Sequence, residues 1–316
     1  MSELPTVSIV TPSFNHAQYL ESTVRSVLDQ NYPKLEYAVM DGGSTDGSVD
    51  ILRGLEAEFA GKFSWVSGPD GGQSSAINNG FAKTTGEILG WVNSDDCLKP
   101  GAVAAAVKYL ADHAEIACVY GDADFIQADG SYLCACANLE PFSRHRLLHV
   151  TDYIVQPAAF FRRSAFKAVG GLDPSLHFAM DYDLFLKMAM KFDFAYVRQP
   201  WAEYRWLGVN KTALGSWKRL AEIRQVTRRH GAWRLPAYFR LEVVNLHRMT
   251  AKEHWRNRKP WAAAKEMVLA VANAASSPIA VTHLLDSRTR KVIDTGKILR
   301  ASVCETPPYH GPPDRA

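Results

Sequence analysis

Apolar residues along the first two hundred positions fall into short runs that alternate with stretches of helical spacing. Residues 6–10 read as a strand that breaks into a polar turn at Ser13-Phe14-Asn15. Tyr19, Leu20, Val24, Val27 and Leu28 then recur on one helical face over 17–30. The pattern repeats with a strand over 35–40, a helix over 49–59, a short strand over 63–66 and a helix over 74–84. Residues 87–92 follow, apolar enough for a strand buried on both faces. This alternation predicts an α/β fold with a mostly parallel, doubly wound sheet and right-handed crossovers. Further along, residues 117–126 and 130–135 read as a hairpin pair, 156–162 as a strand, 164–169 as a short helix and 180–190 as a longer one. An aromatic strand over 201–206 closes a first domain, 1–210. Residues 211–300 form a basic extension, with two or three helices over 211–275. Residues 301–316, with four prolines, read as a disordered tail.

Four polar clusters each follow a strand: Ser13-Phe14-Asn15, Asp41-Gly-Gly-Ser-Thr-Asp-Gly47, Asp70-Gly-Gly-Gln73 and Asp95-Asp96. In a parallel sheet they share the edge where open α/β sheets bind ligands. Two adjacent carboxylates repel, so Asp95 and Asp96 either hold a hard divalent cation against phosphate oxygens or divide into a helix cap and a solvated neighbour. Asp181 opens the helix over 180–190, where the dipole favours an anion; it is a cap or a functional carboxylate. The glycine loops match neither G-x-G-x-x-G nor G-x-x-x-x-G-K-[ST], so neither a dinucleotide nor a P-loop site is indicated.

Charge changes the picture at the C-terminal end. Residues 1–200 carry 15 Lys+Arg against 24 Asp+Glu, whereas 201–316 carry 21 against 9. The basic end, with Trp217, Trp233, Trp255 and Trp261, suits an anionic surface such as a membrane; no nucleic-acid module accompanies it. The uncharged run over 267–285 holds Asn273, two serines and Pro278, and reads as a core or surface-lying helix. Met1-Ser-Glu-Leu-Pro5 has no basic start or apolar run, so a cytoplasmic protein is expected, peripheral on the inner face of the membrane if the basic end docks there. The five cysteines show no metal or disulfide framework.

Read together, Val7-Ser-Ile-Val-Thr-Pro-Ser-Phe-Asn15, the Asp41–Gly47 loop, Ala76-Ile-Asn-Asn-Gly80, Asn93-Ser-Asp-Asp96, Gln156-Pro-Ala-Ala-Phe-Phe-Arg162, Gly170-Gly-Leu-Asp173 and Met180-Asp-Tyr-Asp-Leu-Phe-Leu186 resemble family 2 glycosyltransferases of the GT-A fold. The likeness extends to those that build bacterial lipopolysaccharide or capsule repeat units, and it covers residues 6–206. It implies inverting transfer of a single sugar from a nucleotide-sugar, expected to be a UDP-sugar, to a glycan or polyprenyl-linked glycan acceptor. Asp41 would contact the base. Thr11, Pro12 and Phe14 would shape the base and ribose pocket, and Asp95 would reach the ribose. Gln73, Ser75 and Asn78 would complete the donor site. Asp96 would ligate Mn²⁺ or Mg²⁺ on the diphosphate, and Asp181 would deprotonate the acceptor hydroxyl.

The sequence departs from the family pattern in places. Asn93 and Met180 stand where acids are common, Ser75 where Asp or Arg is, and Trp206-Leu-Gly-Val-Asn210 lacks a metal-completing His. The Gln-x-x-Arg-Trp motif of processive synthases is absent; Gln225-Val-Thr-Arg-Arg229 only approaches it. Two alternatives stand beside the transferase. One is a degenerate GT-A domain that binds nucleotide or glycan without turnover. The other is a sugar nucleotidyltransferase, whose usual basic glycine-rich loop is missing after the first strand.

Overall fold

The computed structural model describes residues 4–136, 140–208, 210 and 217–275. In chain order the elements are β1 (Val7–Ser13), α1 (Ala17–Leu28), β2 (Leu35–Asp41), α2 (Ser48–Glu58), β3 (Ser64–Ser67), α3 (Gln73–Ala82), β4 (Ile88–Trp91), β5 (Cys97–Leu98) and α4 (Ala102–Asp112). They continue with β6 (Ile116–Ile126), β7 (Tyr132–Ala135), α5 (Arg144–His149), a 3₁₀ turn (Gln156–Ala158), β8 (Ala159–Arg162), α6 (Arg163–Ala168), α7 (Met180–Ala189) and β9 (Asp193–Arg205). The helices α8 (Trp217–Arg229), α9 (Ala237–Arg256) and α10 (Pro260–Ala275) follow.

Among the described residues the strands make one nine-stranded sheet, in the order β3-β2-β1-β4-β8-β6-β9-β5, with β7 paired to β6. The alternating first half gives the expected parallel block: β3, β2, β1 and β4 run the same way. Beyond β4 the sheet is mixed. β8 enters antiparallel between β4 and β6, β6 and β9 are parallel, and the hairpin expected around 127–130 pairs β6 with β7. The short turn between β6 and β7 leaves them only an antiparallel pairing, since a parallel neighbour needs a connection of about a dozen residues or more.

Helices cover both faces. One core joins Val10, Leu89 and Phe161 of the sheet to Ile77 and Phe81 of α3, Leu184, Phe185 and Leu186 of α7, and Leu220, Ile223 and Val226 of α8. The other packs Leu20, Val24 and Val27 of α1 and Val103, Ala106 and Leu110 of α4 against Val7, Ile9 and Val39. The first helix of the basic extension therefore shares a core with α3, α7 and the sheet. Gly80 is needed for packing: a Cβ there would lie 2.6 Å from Val10 Cγ1, so α3 rests directly on β1. The second part of the 267–285 run, the remainder of the extension and the expected tail over 301–316 lie outside the described residues. Among the described residues no helix is long and apolar enough to cross a membrane.

Candidate active site

The parallel register brings the strand-following loops to one edge. Ser13 pairs with Asp41 and Asp41 with Ser67, and the ladders extend past the strands through Gly42 N–H to Ser13 O (2.8 Å) and Gly68 N–H to Asp41 O (3.0 Å). Val92 N–H to Val10 O (3.0 Å) carries β4 to the same edge, just before Asn93-Ser-Asp-Asp96.

Asp41 organises its own loop. Its buried Oδ2 accepts from Gly43 N–H, Ser44 N–H and Ser67 Oγ at 3.1, 2.9 and 2.6 Å, while Oδ1 accepts from Ser44 Oγ. Three of these four donors crowd Oδ2, and Oδ1 has the Ser44 hydroxyl. Asp46 stitches this loop to α1 by accepting from Ala17 N–H and from Ser48, and those bonds hold its carboxyl below the usual range against the opposing effect of burial. Asn15 N–H donates to Ser44 Oγ and Asn15 Oδ1 accepts from Thr45 N–H, which keeps Phe14 beside Gly42. Across the edge, Gly71 and Gly72, both at positive φ, turn the chain into α3.

The Asp95-Asp96 loop is gripped from below. Thr23, Ser26 and Gln30 lie on one stripe of α1 and its C-terminal end. Thr23 Oγ1 donates to Asp96 O (2.7 Å), Ser26 Oγ accepts from Leu98 N–H, and Gln30 Nε2 donates to Lys99 O. Arg205, at the end of β9 and only 3% exposed, is the second anchor. Its backbone N–H donates to Asp96 Oδ1 (2.9 Å), its Nε to Asp95 O and its Nη1 to Gln127 O and Ala128 O, with the guanidinium over the Tyr19 ring. Asp96 is 1% exposed, and burial first, then the charge of Asp95, pushes its carboxyl well above the usual range. Asn93 joins this acid to the rest of the edge, donating to Asp96 Oδ2 and Gln156 Oε1 at 3.3 and 3.2 Å and accepting from Gln73 Nε2 at 2.8 Å. Asn210, where a metal-completing His was looked for, donates to Asp95 Oδ2 at 3.3 Å.

Asp181 sits in the first turn of α7, and its Oδ1 accepts from Tyr182 N–H at 2.8 Å. The first turn of α3 touches this start, Ser74 Oγ lying 2.9 Å from Met180 Sδ. The Asp95-Asp96 loop and the start of α7 are thus joined through α3. Asp152 joins them: burial, then the nearby Asp181 charge, raises its carboxyl well above the usual range.

Not every sequence-predicted residue presents a free group. Phe14, Gln73, Ser75 and Asp95 are half-buried at the edge. Thr11 and Pro12 are buried beneath it, the Thr11 hydroxyl accepting from Tyr37 OH at 2.9 Å. Asn78 spends both ends of its amide on the backbone of Leu172. Arg205, Asp152 and the polar stripe of α1 were missed. Only the stripe had a signal, polar residues at helical spacing beside the buried Leu20, Val24 and Val27.

No group of three or more His, Cys, Asp or Glu suited to a metal occurs among the described residues. The donor set nevertheless fits Mg²⁺ or Mn²⁺. Such ions are commonly held by one or two carboxylates together with water and substrate phosphates, and the buried, crowded Asp96 is a carboxylate that a cation would relieve.

Residues 8–170 match the glycosyl transferase family 2 model. A hyaluronan synthase of Pasteurella multocida is 32% identical over 189 residues, 60% of this chain but 19% of that protein, so this chain corresponds to a small part of it. An uncharacterized glycosyltransferase of Mycobacterium tuberculosis is 34% identical over 211 residues, 66% of this chain and 78% of that one. Among solved structures, the mannosyltransferase PcManGT from Pyrobaculum calidifontis, in complex with GDP-Man and Mn²⁺, superposes with a TM-score of 0.59 at 22% identity, covering 96% of this chain and 87% of that chain. TarS 1–349 of S. aureus in complex with UDP-GlcNAc gives 0.59 at 14% identity, covering 95% and 92%. The chain belongs to glycosyl transferase family 2 and has the GT-A fold.

Proposed function

We propose that the protein transfers a single sugar, with inversion, from a nucleotide-sugar to a glycan or polyprenyl-linked glycan acceptor, and that the donor is a UDP-sugar. The observation that carries this reading is the placement of Asp95-Asp96 and Asp181 on one sheet edge through the α3–α7 contact. Inverting transfer needs one base facing the acceptor and charge neutralisation facing the leaving diphosphate. Asp181 takes the proton of the acceptor hydroxyl. Asp41 Oδ1, which holds one donor against three on Oδ2, receives a base N–H, Asp95 faces the ribose, and the Gln73–Asn93–Asp96 chain lines the donor side. A divalent cation on Asp96 would supply the positive charge that stabilises the diphosphate as it leaves. Neighbouring structures hold GDP-Man with Mn²⁺ in one case and UDP-GlcNAc in another, which supports a nucleotide-sugar and a divalent metal without choosing the base.

Thermal unfolding with UDP, GDP, dTDP or CMP, each with Mn²⁺ or EDTA, tests the donor and metal together. A ligand at about 100 times its dissociation constant adds ~2.7 kcal/mol, a shift of a few degrees for a chain of this size. The expected result is a shift with UDP that disappears in EDTA. A shift with GDP alone changes the donor, and no shift with any nucleotide overturns the donor site.

A membrane contact fits the other end of the molecule. Between α9 and α10 the chain exposes Trp255 (70%) and Trp261 (89%) on either side of Arg256, Arg258 and Lys259, and α10 exposes Met267, Val268 and Val271. Basic residues with Trp beside them suit anionic headgroups, which would bring the enzyme to a lipid-linked acceptor. The full chain is expected to sediment with phosphatidylglycerol vesicles at low salt, to stay in solution with phosphatidylcholine, and to lose binding when Trp255 and Trp261 become Ser. Equal recovery in the supernatant with both lipids would remove the membrane from this reading.

A further inference from the structure

Helix α8 lies in the basic extension, yet it turns a stripe of charged side chains onto the segment that leads into Asp181. Glu222, Val226 and Arg229, spaced by four and three, share one face; Val226 is fully buried in the core that holds α7. At one end of the stripe, Arg229 Nη1 meets Asp173 Oδ2 at 2.8 Å. Ser175 Oγ, donating to the same carboxylate, does most to hold the Asp173 pKa down at about 2, against burial, and Arg229 adds to it. At the other end, the Glu222 carboxylate accepts from three consecutive backbone N–H groups: His177 at 3.0 and 3.1 Å, Phe178 at 2.6 Å and Ala179 at 3.1 Å. Behind them, His230 lies 3.8 Å from the buried Asp183 of α7.

Those three amides need an outside acceptor. They belong to the cap residue Ala179 and the two residues before it, ahead of the helix's own hydrogen-bond ladder, so no carbonyl of α7 reaches them. Glu222 supplies the missing acceptor from a second helix, and its negative charge also suits the positive end of the α7 dipole. The segment 173–180 is thereby pinned between α8 and the first turn of α3, where Ser74 reaches Met180. A carboxylate that must meet an acceptor hydroxyl depends on its backbone being held, because a displacement of about 1 Å costs on the order of 10²-fold in rate.

We propose that Glu222 is a positioning residue for sugar transfer, fixing the backbone that carries Asp181. α8 then belongs to the catalytic machinery although it lies in the extension. This inference rests on Asp181 being the base. The test uses the full chain with Mn²⁺ and UDP-glucose or UDP-N-acetylglucosamine, water taking the acceptor's place and UDP release being measured. Glu222→Ala is expected to lower kcat about 10–100-fold with the KM for the UDP-sugar unchanged, and to speed amide exchange at 177–179. Glu222→Gln, which keeps an acceptor oxygen in place, is expected to recover part of the loss. A Glu222→Ala protein with wild-type kcat, a loss appearing only in KM, or unchanged exchange at 177–179 overturns the inference. Asp181→Asn run in parallel separates the two readings. If it keeps full activity the base assignment fails; if it is inactive while Glu222→Ala is not, the positioning role alone fails.

Discussion

Asp181→Asn is expected to lower kcat for sugar transfer by ~10²–10⁴-fold, the usual contribution of a general base, while donor KM and Mn²⁺-dependent nucleotide binding stay unchanged. The substitution is chosen because it separates the two roles that the first turn of α7 allows. Asparagine matches aspartate in size, can still accept the Tyr182 N–H bond through its carbonyl oxygen, and serves a helix start as well as aspartate does. A capping Asp181 would therefore leave turnover nearly intact after this change. A base would not, because an amide cannot take the acceptor's proton. Steady-state kinetics decide the matter, with thermal unfolding to show that the fold is unaltered. Asp152→Asn belongs in the same series, since its carboxyl feels the charge of Asp181. A large loss in Asp152→Asn with none in Asp181→Asn would move the base to Asp152.

The placement of the four strand-following loops was legible because its information is local. A polar cluster directly after a strand must lie at the strand's carboxyl end, and parallel pairing brings four such clusters to one edge. What local pattern does not carry is who satisfies whom. Asp41 and Asn78 look alike in the sequence, as polar residues close to glycines. Yet Asp41 gathers the donors of its own loop and of Ser67, whereas Asn78 spends its whole amide on Leu172. Arg205 reads as one more residue in an aromatic strand. It becomes the anchor of the Asp95-Asp96 loop only because β9 pairs with β5, which places its N–H and guanidinium against residues more than a hundred positions earlier. The mixed half of the sheet was illegible for the same reason: β8 carries nothing in its composition that tells it to enter between β4 and β6.

The basic extension shows how composition can mislead about organisation. Its charge suggested a single surface-seeking unit after residue 210, but the helices divide the work. α8 buries Leu220, Ile223 and Val226 with α7 and spends Glu222 and Arg229 on the segment before Asp181. The exposed Trp and basic residues concentrate instead around the α9–α10 connection. Apolar spacing within α8 (220, 223, 226) is the sequence feature that distinguishes the two, since it marks a helix with a core to join.

Asp96→Asn is expected to abolish Mn²⁺-dependent nucleotide binding and to reduce turnover by more than the ~10–100-fold typical of losing a residue that merely supports a metal ligand. The two oxygens of Asp96 are differently placed. Oδ1 accepts the Arg205 backbone N–H at 2.9 Å, whereas Oδ2 has only the longer Asn93 contact at 3.3 Å and is the oxygen left for a cation. An asparagine would keep its carbonyl oxygen on Arg205, because turning its amide there would set donor against donor. Its NH₂ would then take the place of Oδ2, where a cation requires an oxygen, and would give up only the long Asn93 contact. The fold itself should not suffer. A carboxylate buried to 1% exposure beside a second carboxylate is costly when nothing positive joins it, so the neutral amide is expected to leave the melting temperature of the metal-free protein equal or higher. Activity and stability would thus move in opposite directions, as they do where a site is kept strained for function. Calorimetric titration of UDP with Mn²⁺, beside unfolding in EDTA, reads both. An Asp96→Asn protein that binds Mn²⁺-UDP as wild type does would exclude Asp96 as the metal ligand. One that unfolds at a markedly lower temperature in EDTA would show that the carboxylate serves the fold and not the cation.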